Sequence, residues 1–123
     1  MREMKFRGKI EGNWWYVRAS DDHISGSWEQ FWALADKKTV GEYTGLLDKQ
    51  GKDIYEGDIV QYGKNRGLIK DIWTYQWLQV EVDDGVIVHD ILDKFRHLQE
   101  ITGLERSTII GNVYENPNLL AQV

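Results

Sequence analysis

The residues through which this chain could do chemistry are its three histidines and its carboxylates. His89 and Asp90 stand side by side and could ligate a metal. A hydrolytic metal centre needs further His and Asp ligands from neighbouring elements, and only His23 and His97 are left to supply them. A strand end followed by a helix cap accounts for His89-Asp90 more simply. Asp21-Asp22-His23 is a polar loop cluster without a partner set. Asp83-Asp84 precede Gly85, which is turn chemistry. Glu56 and Asp58 flank Gly57 in the manner of an acid/base pair. Their spacing also suits a bend in which Asp58 accepts a backbone N–H, and a catalytic pair would need a cleft and a substrate-holding shell. Ser20, Ser25, Ser27 and Ser107 lack a nucleophile-elbow context, and no phosphate-cradling glycine loop occurs. The expectation is a protein that is not an enzyme and has no catalytic residue, metal site or cofactor.

Two constellations point to binding instead. Trp73, Tyr75 and Trp77 recur at strand period and share one face. From Leu78 the apolar positions move to the other face, so the strand bulges near Trp77 or is buried on both sides. Such a ladder serves as core, as a subunit interface, or as a platform for bases or sugar rings. Lys64, Arg66 and Lys70 lie close by in sequence. Together with the ladder they would make a basic, aromatic nucleic-acid platform.

Composition limits these readings. A chain of 123 residues is the size of one domain, spanning 1–123. Its 41% hydrophobic and 12% aromatic content is that of a folding sequence. A net charge of −5 disfavours a generic phosphate-binding surface and leaves nucleic acid as the weaker partner class. The absence of cysteine excludes disulfides and thiolate metal sites and fits a reducing cytoplasm. No run approaches the roughly 18–20 apolar residues of a membrane span. The first seven residues lack the apolar stretch of a signal peptide.

The elements that must position these residues are short apolar runs separated by Gly and Asx, the pattern of a β barrel or sandwich. Residues 3–10 and Asn13–Val17 read as strands. Ser27–Ala35 is ambiguous: Trp28, Phe31, Trp32 and Ala35 have helical spacing and Ser27 with Gln30 fits a capping box, yet the aromatics also suit a strand. Thr39–Leu47 reads as a strand, Asp48–Gly51 as a turn, Asp53–Tyr55 as a strand, Gly57 as a kink and Ile59–Tyr62 as a strand. Gly63–Gly67 reads as a loop and Leu68–Val82 as a long β stretch. Asp83-Asp84-Gly85 then turns the chain into Val86–His89, with Val82 set against either Val86 or Ile87. Asp90–Thr102 reads as a helix with Ile91, Leu92, Phe95 and Leu98 on one face. Ile109–Tyr114 is a last strand, and the tail can dock through Leu119 and Leu120.

Two blocks carry a resemblance. The first runs Thr39-Val40-Gly41-Glu42-Tyr43-Thr44-Gly45-Leu46 and on through Asp48-Lys49-Gln50-Gly51-Lys52-Asp53-Ile54-Tyr55-Glu56-Gly57-Asp58-Ile59-Val60. The second is Ile109-Ile110-Gly111-Asn112-Val113-Tyr114-Glu115-Asn116-Pro117. With Lys5-Phe6-Arg7 they resemble the YopX family of phage and prophage proteins. Glu42 stands where that family commonly has Gln, and Lys37 where an Asp-Pro pair often precedes the Thr-Val. The resemblance implies a mainly β, small SH3-like, partly open barrel with one or two short helices. It further implies a cytoplasmic protein of a bacterial host that self-associates, and no established enzymatic activity. The reading that follows is a homo-oligomeric, non-enzymatic binding or assembly module. It would engage a host or phage protein and no membrane. A nucleic-acid-binding accessory protein is the alternative.

Overall fold

The computed structural model describes residues 3–21, 27–62, 65–79, 95–97 and 104–121. Its strands form two antiparallel sheets. β1 (Lys5–Ile10), β2 (Asn13–Arg18), β3 (Asp36–Leu47) and β4 (Asp53–Tyr55) make the first, in the order β2-β1-β3-β4. β5 (Asp58–Tyr62), β6 (Asn65–Ile69), β7 (Thr74–Gln79), β8 (Phe95–His97) and β9 (Thr108–Asn112) make the second, in the order β8-β7-β6-β5-β9. The chain is mainly β and curls as a half-barrel. Among the described residues no helix is long and apolar enough to cross a membrane.

Local chemistry sets the turns. Glu11 and Gly12 both have positive φ, 53° and 81°, the mirror-image turn whose twist matches a tight hairpin. β1 and β2 therefore zip from Ile10↔Asn13 to Lys5↔Arg18 without a slip. Between β3 and β4 the Asp48 carboxylate accepts the N–H groups of Gln50 and Lys52 at 2.8 and 2.9 Å. Its second oxygen accepts the N–H of Ile109 at 3.2 Å, tying the turn to β9. Gly57, at φ 91°, is the kink by which β4 leaves the first sheet and β5 enters the second.

Ser27–Leu34 resolves as the single α-helix among the described residues, α1. Phe31 is fully buried with Ile10, Val17 and Ala35. Trp28 and Trp32 meet Phe6 edge-to-face at 5.8 and 5.1 Å. Helical spacing wins here because it presents all three aromatics to one face of the β1–β2–β3 sheet. A second cluster, Ile54, Val60, Ile69, Tyr75 and Leu104, lies under β4 to β7. Leu119 packs against a third, around Ile59 and Leu68.

Three expectations are corrected. The long β stretch read over Leu68–Val82 is interrupted within its described part: β6 ends at Ile69, a bend occupies 71–73, and β7 starts at Thr74. The loop read at Gly63–Gly67 is partly strand, since Asn65–Gly67 open β6 and pair with β5. The helix read over Asp90–Thr102 fails at 95–97, which form β8 against β7 through Thr74↔His97 and Gln76↔Phe95. A free strand edge recruits extended backbone, and that non-local pairing overrides a helical pattern of apolar residues. The rest of that segment, His89 and the Asp83–Gly85 hairpin lie outside the described residues.

Candidate functional site

Strand alternation builds the site. On β1 one face carries Phe6, Gly8 and Ile10, and a Cβ at Gly8 would stand 3.0 Å from Phe31. The other face therefore carries Lys5, Arg7 and Lys9. On β2 the partners of Arg7 and Lys9 are Tyr16 and Trp14. Arg7, Trp14 and Tyr16 border a cleft of about 450 Å3, lined further by Lys52, Asp53 and Tyr55 of the β3–β4 hairpin, Asp58 of β5 and the β9 residues Ile109, Gly111 and Asn112.

The floor of the cleft is an ion pair. Arg7 Nη2 donates to Asp58 Oδ1 at 2.7 Å, with the two side chains 8% and 2% exposed. Asp58 Oδ2 accepts the N–H of Tyr55 at 2.8 Å, so both carboxylate oxygens are engaged. Burial pushes the Asp58 carboxyl above its ordinary value, and the Arg7 charge and the Tyr55 N–H offset part of that rise. The guanidinium lies 4.6 Å from the Trp14 ring centre and 5.0 Å from that of Tyr55. Its Nε is buried without a hydrogen-bond partner among the described residues. Burial likewise pushes the Tyr55 phenol well up.

The rim repeats this pairing of cations with aromatics. Lys5 Nζ sits 2.6 Å from Asp53 Oδ2 and 4.3 Å from the Tyr43 ring centre. Lys9 Nζ is 3.5 Å from Glu115, whose carboxylate also accepts the Trp14 indole N–H. That indole hydrogen bond, more than the Lys9 charge, holds the Glu115 carboxyl below its ordinary value. Tyr16 meets Tyr55 edge-to-face at 5.7 Å and is 59% exposed.

Glu56 is engaged as fully as Asp58. One oxygen accepts the Glu42 N–H at 2.6 Å and the other the Ile72 N–H at 3.2 Å. The two acids thus act as backbone acceptors at the kink, as the bend reading requires. The arrangement can hold a ligand against aromatic faces; its carboxylates are committed to the fold. Among the described residues no three His, Asp or Glu groups converge as metal ligands.

Among the described residues, the binding residues read from sequence do not form one exposed face. Trp73 lies in the 71–73 bend, where its N–H donates to Asp71 Oδ1 at 2.7 Å, and it is 50% exposed. Tyr75 is 3% exposed, in the core. Trp77 is on β7, its backbone opposite Gly67. Arg66 is half-buried on β6, and its Nε is buried without a hydrogen-bond partner among the described residues. Lys70 is exposed where its N–H closes the turn to Thr74. Lys64 lies outside the described residues. Tyr75 breaks the ladder because its strand position faces inward, and Trp73 because it lies in the bend, before β7 begins.

Sequence reasoning missed the cleft. A signal was present: the positive-φ turn at Glu11-Gly12 sets Arg7 and Lys9 across from Tyr16 and Trp14, cations against aromatics on one face.

The two sequence blocks 39–60 and 109–117 meet at this cleft. Asp58 pairs with Asn112. The Val113 N–H donates to Gly57 O at 3.0 Å, and a Cβ on Gly57 would stand 3.0 Å from the Tyr114 ring. Asn112 Oδ1 accepts the N–H groups of Tyr114 and Glu115 at 3.0 Å each. The family model described as YopX protein matches residues 2–121. The chain belongs to the YopX family. The match runs through residues 61–108, where the two blocks alone give no alignment. A search of curated proteins found no match.

Proposed function

We propose that this YopX-family protein is a non-enzymatic binding and assembly module of a phage or prophage, working in the cytoplasm of the bacterial host. It engages a host or phage protein at the cleft and self-associates. One observation carries the reading. A cleft of about 450 Å3 has aromatic walls, including a half-exposed Tyr16, above charged groups already committed to one another. Aromatic surface of this kind supplies contact area and anchoring in protein recognition.

The test is a pull-down from host lysate, with and without nuclease, using the wild type and Lys52→Glu. Lys52 lines the cleft and is exposed, and the turn takes from it only backbone groups: its N–H donates to Asp48 Oδ1 and its C=O accepts the Asp48 N–H. A protein partner should survive nuclease and be lost or weakened several-fold with Lys52→Glu. Capture abolished by nuclease would instead favour the accessory nucleic-acid role of Lys64, Arg66 and Lys70. Salt-dependent anisotropy with single-stranded DNA would then check that role.

A further inference from the structure

We propose that two copies of the chain join by antiparallel pairing of β2 with β2, about a two-fold axis at Tyr16, so that the first sheet continues across the dimer. The proposal rests on the self-associating part of the reading above and gives it a surface.

The edge follows from the hairpin. Ile10 and Asn13 close a two-residue turn and form a hydrogen-bonded pair. Hydrogen-bonded and non-hydrogen-bonded pairs alternate along an antiparallel ladder. Gly8↔Trp15 and Phe6↔Val17 therefore also exchange hydrogen bonds, and the N–H and C=O groups of Trp14, Tyr16 and Arg18 point away from β1. β2 ends its sheet, and among the described residues no strand pairs with that outer edge. Sheet edges left open are commonly protected by proline, charged side chains, a bulge or a covering element. β2 contains no proline and no bulge, carries a single charge, Arg18, at its end, and exposes Trp15 and Tyr16 by 49% and 59%.

The sequence of the edge complements itself. Pairing centred on Tyr16 sets Tyr16 against Tyr16 of the second copy. Each Arg18 then faces the other copy's Trp14, and each Trp15 the other's Val17. Aromatic pairs and a cation on an indole are favourable cross-strand neighbours, and no like charges meet. Centring on Trp15 instead would leave Arg18 opposite Gly12 and lose both cation–aromatic pairs. Arg18 can turn to this role because its side chain is 58% exposed and held by a 3.5 Å surface pair with Glu3, an interaction of little worth.

Tyr16 at the axis permits a charge-swap test. Masses are measured by light scattering for the wild type, Tyr16→Lys, Tyr16→Glu, an equal mixture of the two variants, and Trp73→Ala, with circular dichroism to check folding. The wild type and Trp73→Ala should have twice the chain mass. Each Tyr16 variant alone should fall to the chain mass, because like charges face each other at the axis. The mixture should return to the dimer mass as Lys meets Glu. A monomeric wild type overturns both the assembly reading and this interface. An oligomer that persists in both Tyr16 variants, or that only Trp73→Ala dissociates, overturns the interface and leaves self-association standing. A mixture that stays monomeric overturns the pairing about Tyr16.

Discussion

Arg7 and Asp58 lie 51 residues apart in the chain and 2.7 Å apart in space. The contact joins β1 of the first sheet to β5 of the second and forms the floor of the cleft between them. Taking both charges out of water is costly, and their mutual attraction offsets that cost only when the remaining polar atoms are satisfied. Asp58 meets the condition through the Tyr55 N–H. Arg7 meets it in part, through a 3.4 Å contact with Glu56 O and the two aromatic rings.

Arg7→Met should therefore cost about 3–5 kcal/mol, because it leaves the Asp58 carboxylate buried and uncompensated. Arg7→Met combined with Asp58→Asn should recover a large part of that loss. The asparagine oxygen can still accept the Tyr55 N–H, and no charge remains to be buried. Urea denaturation of the four proteins in a double-mutant cycle checks this. Additive losses would show that the two side chains are not coupled.

Asp48 gives a prediction in pH. It is 4% exposed. Burial alone would raise its carboxyl, but the N–H groups of Lys52, Ile109 and Gln50 outweigh burial and bring it below its ordinary value. A carboxyl depressed in the folded state stabilises fully above its unfolded value, about 3.9, and loses that contribution as pH falls through the folded value. Asp48→Asn should cost about 1.5–3 kcal/mol at pH 7, since the amide cannot match a carboxylate accepting three N–H groups. The gap between variant and wild type should narrow below about pH 4. Denaturant midpoints at pH 7 and pH 3 measure it, and an equal gap at both would show that the charge at Asp48 contributes nothing.

What was legible in the sequence was local. Asp48–Gly51 and the Gly57 kink could be read because one carboxylate and one positive-φ glycine decide each within a few residues. Ser27–Ala35 stayed ambiguous because nine residues satisfy two periods, and burial of Phe31 with Val17 and Ile10 made the choice. Residues 95–97 were misread because the open edge of β7 lies about twenty residues away and leaves no mark on the 90–102 pattern. The same limit hid the cleft, whose floor needs Arg7 to find Asp58. The Trp73–Trp77 alternation did signal a strand, but period 2 does not reveal which face is inside, and Tyr75 proved to be core.

That buried tyrosine has a glycine beneath it. A Cβ at Gly67 would stand 1.9 Å from Cζ and from the hydroxyl of Tyr75. Tyr75 pairs with Ile69, so its ring reaches diagonally along β6 to cover the position where Gly67 has no side chain. A ring cannot yield to a methyl group there without leaving the cluster of Ile54, Val60, Ile69 and Leu104. Gly67→Ala should therefore cost about 1–3 kcal/mol by overpacking, despite the general preference of strands for residues other than glycine. Tyr75→Leu should cost stability by leaving a void. In the double variant the new methyl group moves into space the ring has vacated. Its loss of stability should fall short of the sum of the two single losses by about 1 kcal/mol or more. Thermal or urea unfolding of the set decides the matter: strict additivity would mean that the Tyr75 ring does not lie over Gly67.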